Sequence, residues 1–358
     1  MPPFLDPTHP QETSVPTSPR ILVIGDSYMS AEVFADALDG RVDAVELRTM
    51  TPTDAPSWSL DALHEYEGDP AEVDAFIDGH EVLVVHGAPI TRRVLEQNPS
   101  VRMIGCARGG PVNIDLDAAA ELGVTVATTP GKNAEAVADL TIGFIITAFR
   151  NLRPALQDVD AAAAEGRAIA ESAFEGARWF GSELRGARLG LIGLGHVARL
   201  VAARARALGM TVTAYDPFVA DAVEGVTLAP SLEALLPEVD VLSIHARATA
   251  DNRHLVGETQ LGLLPEGAVL VNTARESLVD EAALLAALRS GQLRAAAMDV
   301  CEPDGPWREL VALPQVQLTP HIGGATFETL ARGARMVVDR VVEHLEQREP
   351  VDAEERAS

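Results

Sequence analysis

The sequence predicts an α/β protein built on parallel sheets. Three observations carry this. Short β-branched runs alternate with Ala/Leu-rich stretches, the runs are apolar throughout, and a glycine-rich turn separates one of them from a helical stretch. Strand, helix, strand at this spacing gives parallel pairs joined by crossover helices. Parallel strands are covered on both faces, which is why they read as plain apolar runs. A chain of 358 residues exceeds what one small core usually holds, so two domains are expected.

In chain order, residues 1–19 are rich in Pro, Thr and Ser without hydrophobic periodicity and read as a flexible tail, as do residues 347–358. Between them the strand-like runs are 21–24, 81–85, 101–106, 124–127, 189–192, 211–215, 239–244, 268–271 and 295–298. The helical stretches include 31–38, 133–150, 197–208, 281–289 and 327–345. Stretch 133–150 is long, largely apolar and rich in small residues. Its pattern allows a core helix, a helix joining two domains or one packed across a dimer interface. The apolar run 140–149 is too short to span a bilayer. No positively charged start precedes an apolar segment, so the cytoplasm is the expected compartment.

Composition narrows the function. A net charge of −25 argues against a nucleic-acid binder, because phosphate binding needs a basic surface. An anionic substrate would have to be drawn in by local cations against the overall field. Of the 28 basic residues only Lys132 is a lysine. Cys106 and Cys301 both lie in apolar runs and read as core thiols, with no disulfide framework or metal cluster expected.

The first chemical signal is Leu189-Gly190-Leu191-Ile192-Gly193-Leu194-Gly195-His196-Val197-Ala198. An apolar strand precedes it and an Ala-rich helix follows. The next strand ends in Asp216, and 216 − 195 places this acid 21 residues past the second glycine, where a dinucleotide ribose is expected. Gly193 makes the tight turn, Gly195 lets backbone approach a pyrophosphate, and Ala198 is small enough for helix–strand packing. The helix start offers free N–H groups to phosphate. Asp216 would favour NAD, since its carboxylate repels the 2′-phosphate of NADP.

Three polar segments follow later apolar strands: Asn272-Thr273-Ala274-Arg275, Asp299 to Asp304, and Thr319-Pro320-His321. Strand C-terminal ends are where ligands sit in open α/β sheets. Reducing a 2-keto acid needs a cation for the carboxylate, an acid of near-neutral pKa for the forming alkoxide, and a carboxylate to orient that acid. Arg275, His321 and an acid of the second segment suit those jobs.

These residues, in this order, resemble a known family. From about residue 81 to residue 345 the chain resembles the D-2-hydroxyacid dehydrogenases, which include phosphoglycerate dehydrogenase and glyoxylate/hydroxypyruvate reductase. The resemblance rests on Gly109-Gly110-Pro111-Val112-Asn113-Ile114-Asp115, Thr129-Pro130-Gly131-Lys132-Asn133-Ala134, the glycine turn, Asn272-Thr273-Ala274-Arg275, Asp299-Val300 and Thr319-Pro320-His321. It implies two Rossmann-like domains with parallel sheets. One is a discontinuous, flavodoxin-like substrate domain of residues 20–127 and 319–346, and the other an inserted NAD-binding domain, 128–318. The active site would lie in the cleft, with domain closure excluding water. It further implies a homodimer formed through the dinucleotide domain and a small 2-keto or 2-hydroxy acid as substrate. With no regulatory region after residue 346, a short family form is expected.

Residue by residue, the resemblance makes Arg275 the substrate-binding arginine and His321 the acid/base. The family's orienting glutamate lies five positions after the Asp of its Asp-Val pair, which from Asp299 gives Asp304. Here an Asp replaces Glu, and Gly305 replaces the usual Pro. Glu302 is the rival. The resemblance places His196 and Val197 at the pyrophosphate, and Ala246, Arg247, Thr273 and Asp299 around the adenosine and nicotinamide ends. His86, Gly87 and Ala88 match the loop that holds the substrate carboxylate. Arg108, Gly109 and Gly110 form another cleft-facing segment, with Arg108 and Arg247 open to a distal acidic or hydroxyl group or to plain surface ion pairs.

Competing readings are fewer. Gly25-Asp26-Ser27 looks like the first block of Gly-Asp-Ser hydrolases, with Ser27 as nucleophile. The Asp-x-x-His partners at Asp61/His64 and Asp251/His254 lie far from the required late position. The turn is therefore read as strand-to-helix, with Asp26 or Ser27 as N-cap. A non-catalytic NAD(H)-sensing corepressor of the same fold is the alternative function. Formate dehydrogenase, similar in fold, carries Gln where Asp304 stands.

Overall fold

The computed structural model describes residues 19–42, 45–52, 63–169, 176–221 and 223–355. The expected N-terminal tail, up to residue 18, lies outside these. The chain divides into two compact units, Met1–Lys132 with Leu330–Ser358, and Asn133–Thr329.

The first unit carries a five-stranded sheet: β1 (Ile21–Gly25), β2 (Val45–Thr49), β3 (Val82–Val85), β4 (Met103–Cys106) and β5 (Thr125–Ala127). Their order is β2-β1-β3-β4-β5, and every pair is parallel. Alternate residues serve opposite faces, as the two-residue period of a strand requires. Ile21 and Val23 pack with Phe34, Val337 and Val341, while Leu22 and Ile24 pack with Val73, Ile77 and Val94. Helix Ala31–Leu38 turns Ala31, Phe34 and Leu38 inward, one helical face. The long helix Phe327–Glu355 lies close against β4, where a Cβ on Gly105 would come 2.7 Å from Val337. This helix continues through residues 347–355, which read as a tail in the sequence. Their three glutamates and Ala353 suit a helix, whereas Pro350 offers no backbone N–H to it.

β2 was not anticipated. It is an edge strand, Val-Glu-Leu-Arg-Thr, with its last three residues exposed, so it lacks the apolar run that marks its neighbours. Short helices Pro70–Ile77, Arg92–Gln97 and Leu116–Glu121 were also missed. Each is announced by a capping side chain, Asp69, Thr91 and Asp115, that accepts a backbone N–H of the first turn.

The second unit carries β6 (Arg188–Ile192), β7 (Thr211–Tyr215), β8 (Thr227–Leu228), β9 (Val241–Ile244), β10 (Ala268–Asn272), β11 (Leu293–Met298) and β12 (Val316–Leu318). The order is β12-β11-β10-β9-β6-β7-β8, again all parallel. Helix Ala134–Phe149 covers one face of the sheet, burying Ala138, Phe144, Ile145 and Phe149 against Leu189, Leu191 and Val271. It is thus a core helix, although Ile146 stays 39% exposed. Helices Glu258–Leu263 and Glu281–Ser290 cover the other face.

Strand order reverses between β1 and β3 in the first sheet and between β6 and β9 in the second. Such reversals open a crevice beyond the strand C-terminal ends. Among the described residues no helix is long and apolar enough to cross a membrane.

Candidate active site

The glycine turn occupies the reversal point of the second sheet. Gly193 has φ +86°, and a Cβ there would fall 2.8 Å from the Ala246 nitrogen and 2.9 Å from the His245 carbonyl carbon, just past β9. Conformation and space both demand glycine. Gly195 is the N-cap of helix His196–Ala207, and a side chain on it would meet nothing within 4 Å. Its surroundings are open on the side from which a phosphate would approach the helix start. Ala198 is fully buried in the helix–strand contact, Val197 is half-buried and His196 exposed.

Asp216 follows β7 and closes the turn. Its Oδ2 accepts the Leu194 N–H at 2.7 Å, and its Oδ1 accepts the Phe218 N–H at 2.9 Å. A carboxylate has about four acceptor positions, so ribose hydroxyls can still be received. Ala246 is half-buried beside Gly193, and Arg247 is exposed and in no ion pair among the described residues. Thr141 donates its hydroxyl to the Val137 carbonyl at 2.7 Å. Thr273, whose Oγ1 lies 2.9 Å from that of Thr141, is therefore the donor of this second bond. The open, N–H-rich turn and the acid beside it fit a dinucleotide with free ribose hydroxyls.

Arg275, Asp304 and His321 stand just past β10, β11 and β12, three neighbouring strands. Asn272, Met298 and Leu318 are in register across them. Asn272 shapes the first of these loops, accepting the Ala274 N–H and donating to the Arg275 carbonyl. The Arg275 side chain is exposed, donates to the Ala274 carbonyl at 2.7 Å and meets no described acid.

The His321 loop is organised by Asp299, which is 2% exposed. Asp299 accepts the Thr319 hydroxyl at 2.6 Å, the Ile322 N–H at 2.8 Å and the Gly323 N–H at 2.7 Å. The His321 N–H donates to the Asp299 carbonyl at 2.9 Å. These bonds hold His321 at φ +56°, a left-handed conformation that a non-glycine residue adopts only when its surroundings impose it. The side chain of His321 is exposed, as is that of Asp304. Asp299, assigned from the sequence to the cofactor, uses three of its carboxylate's roughly four acceptor positions in this loop.

Two acids near Asp304 have other work. Glu302 receives Arg253 at 2.6 Å. Glu281, 3% exposed, accepts the Glu302 N–H at 2.8 Å. Burial raises the Glu281 carboxyl above its ordinary value. A Cβ on Gly305 would lie 2.4 Å from Glu281 Oε2, so the glycine that replaces the family's proline makes room for this side chain. Sequence reading missed Glu281, whose burial depends on a loop some twenty residues further on.

The first unit has its own polar cluster at its reversal point. Asp26, 4% exposed, follows β1 and accepts the Tyr28 and Met29 N–H groups on Oδ1, and His86 Nδ1 and the Gly87 N–H on Oδ2, all within 3.0 Å. Neither Asp26 nor Ser27 is the N-cap of helix Ala31–Leu38. That position is Ser30, while Asp26 folds the turn by accepting N–H groups two and three residues on. Ser27 donates its hydroxyl to Glu67 at 2.6 Å. Asp61 of the hydrolase reading lies outside the described residues. Burial pushes His86 below its ordinary value, opposed by Asp26, and its Nδ1 contact with the Asp26 carboxylate calls for a hydrogen on that nitrogen. Ala88 is fully buried. Arg108 donates to the Glu65 carboxylate at 3.2 Å and to its carbonyl at 2.7 Å. Gly109 packs on Pro130, and Gly110 has open space around it. Cys106 is a core thiol, pushed up to about 12 by burial, whereas Cys301 is only half-buried.

A parallel seven-stranded sheet with a phosphate-ready glycine turn defines a dinucleotide-binding protein. Comparison with known proteins sharpens this. Residues 142–323 match the model of the D-isomer specific 2-hydroxyacid dehydrogenase, NAD binding domain. A D-3-phosphoglycerate dehydrogenase of Methanocaldococcus jannaschii is 36% identical over 266 residues, covering 73% of this chain and 49% of that one. A glyoxylate reductase of Aeropyrum pernix is 38% identical over 253 residues, 70% of this chain and 75% of the relative. The crystal structure of the TT0316 protein from Thermus thermophilus superposes with a TM-score of 0.73 at 32% identity, covering 93% of this chain and 98% of the other. The chain belongs to the D-isomer specific 2-hydroxyacid dehydrogenase family, and its second unit holds the family's NAD-binding domain. It spans about half the length of the phosphoglycerate dehydrogenases it matches.

Proposed function

We propose that the chain is an NAD-dependent dehydrogenase that interconverts a 2-keto acid and its D-2-hydroxy acid. The observation that carries this is the placement of Arg275, Asp304 and His321 past three adjacent strands of the unit that holds the glycine turn. Bound nicotinamide supplies a hydride to the carbonyl carbon in reduction and takes it back in oxidation. The Arg275 guanidinium, unanswered by any described acid, grips the substrate carboxylate with its planar fork. His321 gives a proton to the carbonyl oxygen in reduction and removes it from the hydroxyl in oxidation.

Asp304 is assigned to orient His321. The rival Glu302 is held by Arg253, which supports Asp304. Gly193, Gly195, His196 and Val197 receive the pyrophosphate, Asp216 the adenosine ribose, and Ala246, Arg247, Thr273 and Asp299 the remaining cofactor. In the first unit, substrate binding is assigned to His86, Gly87, Ala88, Arg108, Gly109 and Gly110. Since the Gly87 N–H is already given to Asp26, Ala88 is the better donor of that turn.

The names of the relatives, D-3-phosphoglycerate dehydrogenase, hydroxypyruvate reductase and glyoxylate reductase, favour a short 2-keto acid. They lend no support to the corepressor-like alternative. The test is NADH consumption with a panel of 2-keto acids, run beside NADPH. Turnover of at least one acid with a preference for NADH is expected. Tight NADH binding without turnover of any acid would overturn the proposal.

A further inference from the structure

Lys132 is the only lysine of the chain, and it is buried at 8% exposure. Among the described residues its Nζ has no hydrogen-bond partner and no acid within salt-bridge distance. A buried ammonium without a partner is costly, because desolvation penalises charge. The neighbourhood shows why none of the acids described nearby answers it. The two oxygens of Asp26 are taken up by four donors. Glu65 is taken up by Arg108. The Tyr28 ring lies 6.0 Å below the ammonium, at the outer edge of cation–π range.

The fold nevertheless makes room for this side chain. Gly333, inside helix Phe327–Glu355, faces the Lys132 stem, and a Cβ there would fall 2.9 Å from Lys132 Cδ. A glycine within a helix costs about 1 kcal/mol against alanine, so the space has a structural price. On the same helix Arg332 donates to the Lys132 carbonyl at 2.6 Å and fixes the backbone. Lys132 follows β5, and Asp26, His86 and Arg108 follow β1, β3 and β4 of the same sheet. They gather beyond the strand C-terminal ends, at the reversal of strand order, where ligands are expected.

We propose that Lys132 is the specificity-determining cation of the first unit, and that its ammonium receives a second anionic group, carboxylate or phosphate, of a 2-keto acid substrate. This rests on the reading that the first unit binds substrate. Burial, with Arg108 adding repulsion and Cys106 and Asp26 opposing, brings the amine down to about 8. The charged and titratable groups around it are Asp26, Tyr28, His86, Cys106, Arg108 and Arg332. The amine binds an anion only when protonated. Selectivity for the second acid therefore holds below about pH 8 and fades as pH rises through that value, and a bound anion moves the midpoint upward.

The single lysine makes the test direct. Full-length protein labelled with 13C,15N-lysine gives one side-chain signal. It would be followed while 2-oxopentanoic acid, 2-oxoglutaric acid or 3-phosphooxypyruvic acid is added in the presence of oxidised NAD. The two acids with a second anionic group, or one of them, should shift the signal and raise its titration midpoint, and the better of the two names the anion. Equal response to 2-oxopentanoic acid, or no response to acids that are turned over, overturns the inference. In kinetics, Lys132→Met should lower the ratio of kcat/KM for the preferred acid with a second anionic group to that for 2-oxopentanoic acid by about tenfold or more, with partial recovery in Lys132→Arg. Gly333→Ala, whose Cβ would come 2.9 Å from Lys132 Cδ and 3.6 Å from Nζ, crowds the side chain without removing the amine and should lower the same ratio. An unchanged ratio in Lys132→Met also overturns it. If no acid is reduced but the lysine signal answers the acids with a second anionic group, the dehydrogenase reading falls and the anion site stands.

Discussion

His321 is held in a conformation it would not choose, and Asp299 is what holds it. A left-handed non-glycine residue costs on the order of 1–3 kcal/mol, and the three donors gathered by the buried Asp299 carboxylate offset that cost. Replacing His321 with Ala removes the proposed proton donor and should lower kcat by about 100- to 10,000-fold, with NADH affinity nearly unchanged by fluorescence titration. Retained turnover would remove its acid/base role. Asp299→Asn acts one step back. An amide turns one acceptor into a donor facing the loop's N–H groups, so the loop loosens around an intact imidazole. Stability should fall by about 1–3 kcal/mol in urea unfolding, and kcat should fall while the histidine remains. The residue types of this site were legible in the sequence, because Arg, His and acid each sit just after an apolar strand. The work of Asp299 was not. Its partners lie 20 to 24 positions away, and only the side-by-side placement of β11 and β12 brings them to it.

Elements differ in how locally they are written. The glycine turn is legible because strand, turn, helix and acid fall within one short stretch, and each glycine has a local reason. The edge strands β2 and β8 are not, since a two- to five-residue strand at a sheet margin has no apolar run to announce it. The start of helix Glu281–Ser290 lies between these cases. Asp280 is a plain N-cap, accepting the Ala282 and Ala283 N–H groups, but the burial of Glu281 comes from the Glu302–Gly305 loop packed on it. Burial holds the Glu281 carboxyl above its ordinary 4.5. The folded state then binds this proton more tightly than the unfolded chain does. Its contribution to stability is full below the unfolded pKa and is lost as pH rises through the folded pKa. Glu281→Gln removes that titration and can keep the bond to the Glu302 N–H. Its stability relative to the parent should therefore improve from acid to neutral pH. A difference that stays flat across that range would mean that the carboxyl titrates normally.

At the scale of the molecule, parallel sheets, two units and the return of the C-terminal helix to the first unit follow from the alternation of elements and the family pattern, whereas the face open to another chain is visible only in the structure. Helix Leu152–Glu165 of the second unit buries little more than Ala162, yet Leu152, Leu156 and Val159 are 42%, 54% and 41% exposed. Their spacing of four and three residues puts them on one face. Ile146 on the preceding helix is also exposed, as is Phe180 beyond, at 82%. Isolated apolar side chains on a surface need no explanation, but a contiguous stripe does. A homodimer formed through the dinucleotide-binding unit would cover this one, and a net charge of −25 makes apolar contact the natural means of bringing two such chains together. Light scattering on the purified protein should give twice the chain mass. Leu156→Glu, paired with Leu152→Glu, places two carboxylates in that stripe and should yield monomers that still bind NADH, because the glycine turn lies on other elements of the unit. A parent protein that is already monomeric at micromolar concentration, or a double variant that remains dimeric, would assign the stripe to something other than self-association.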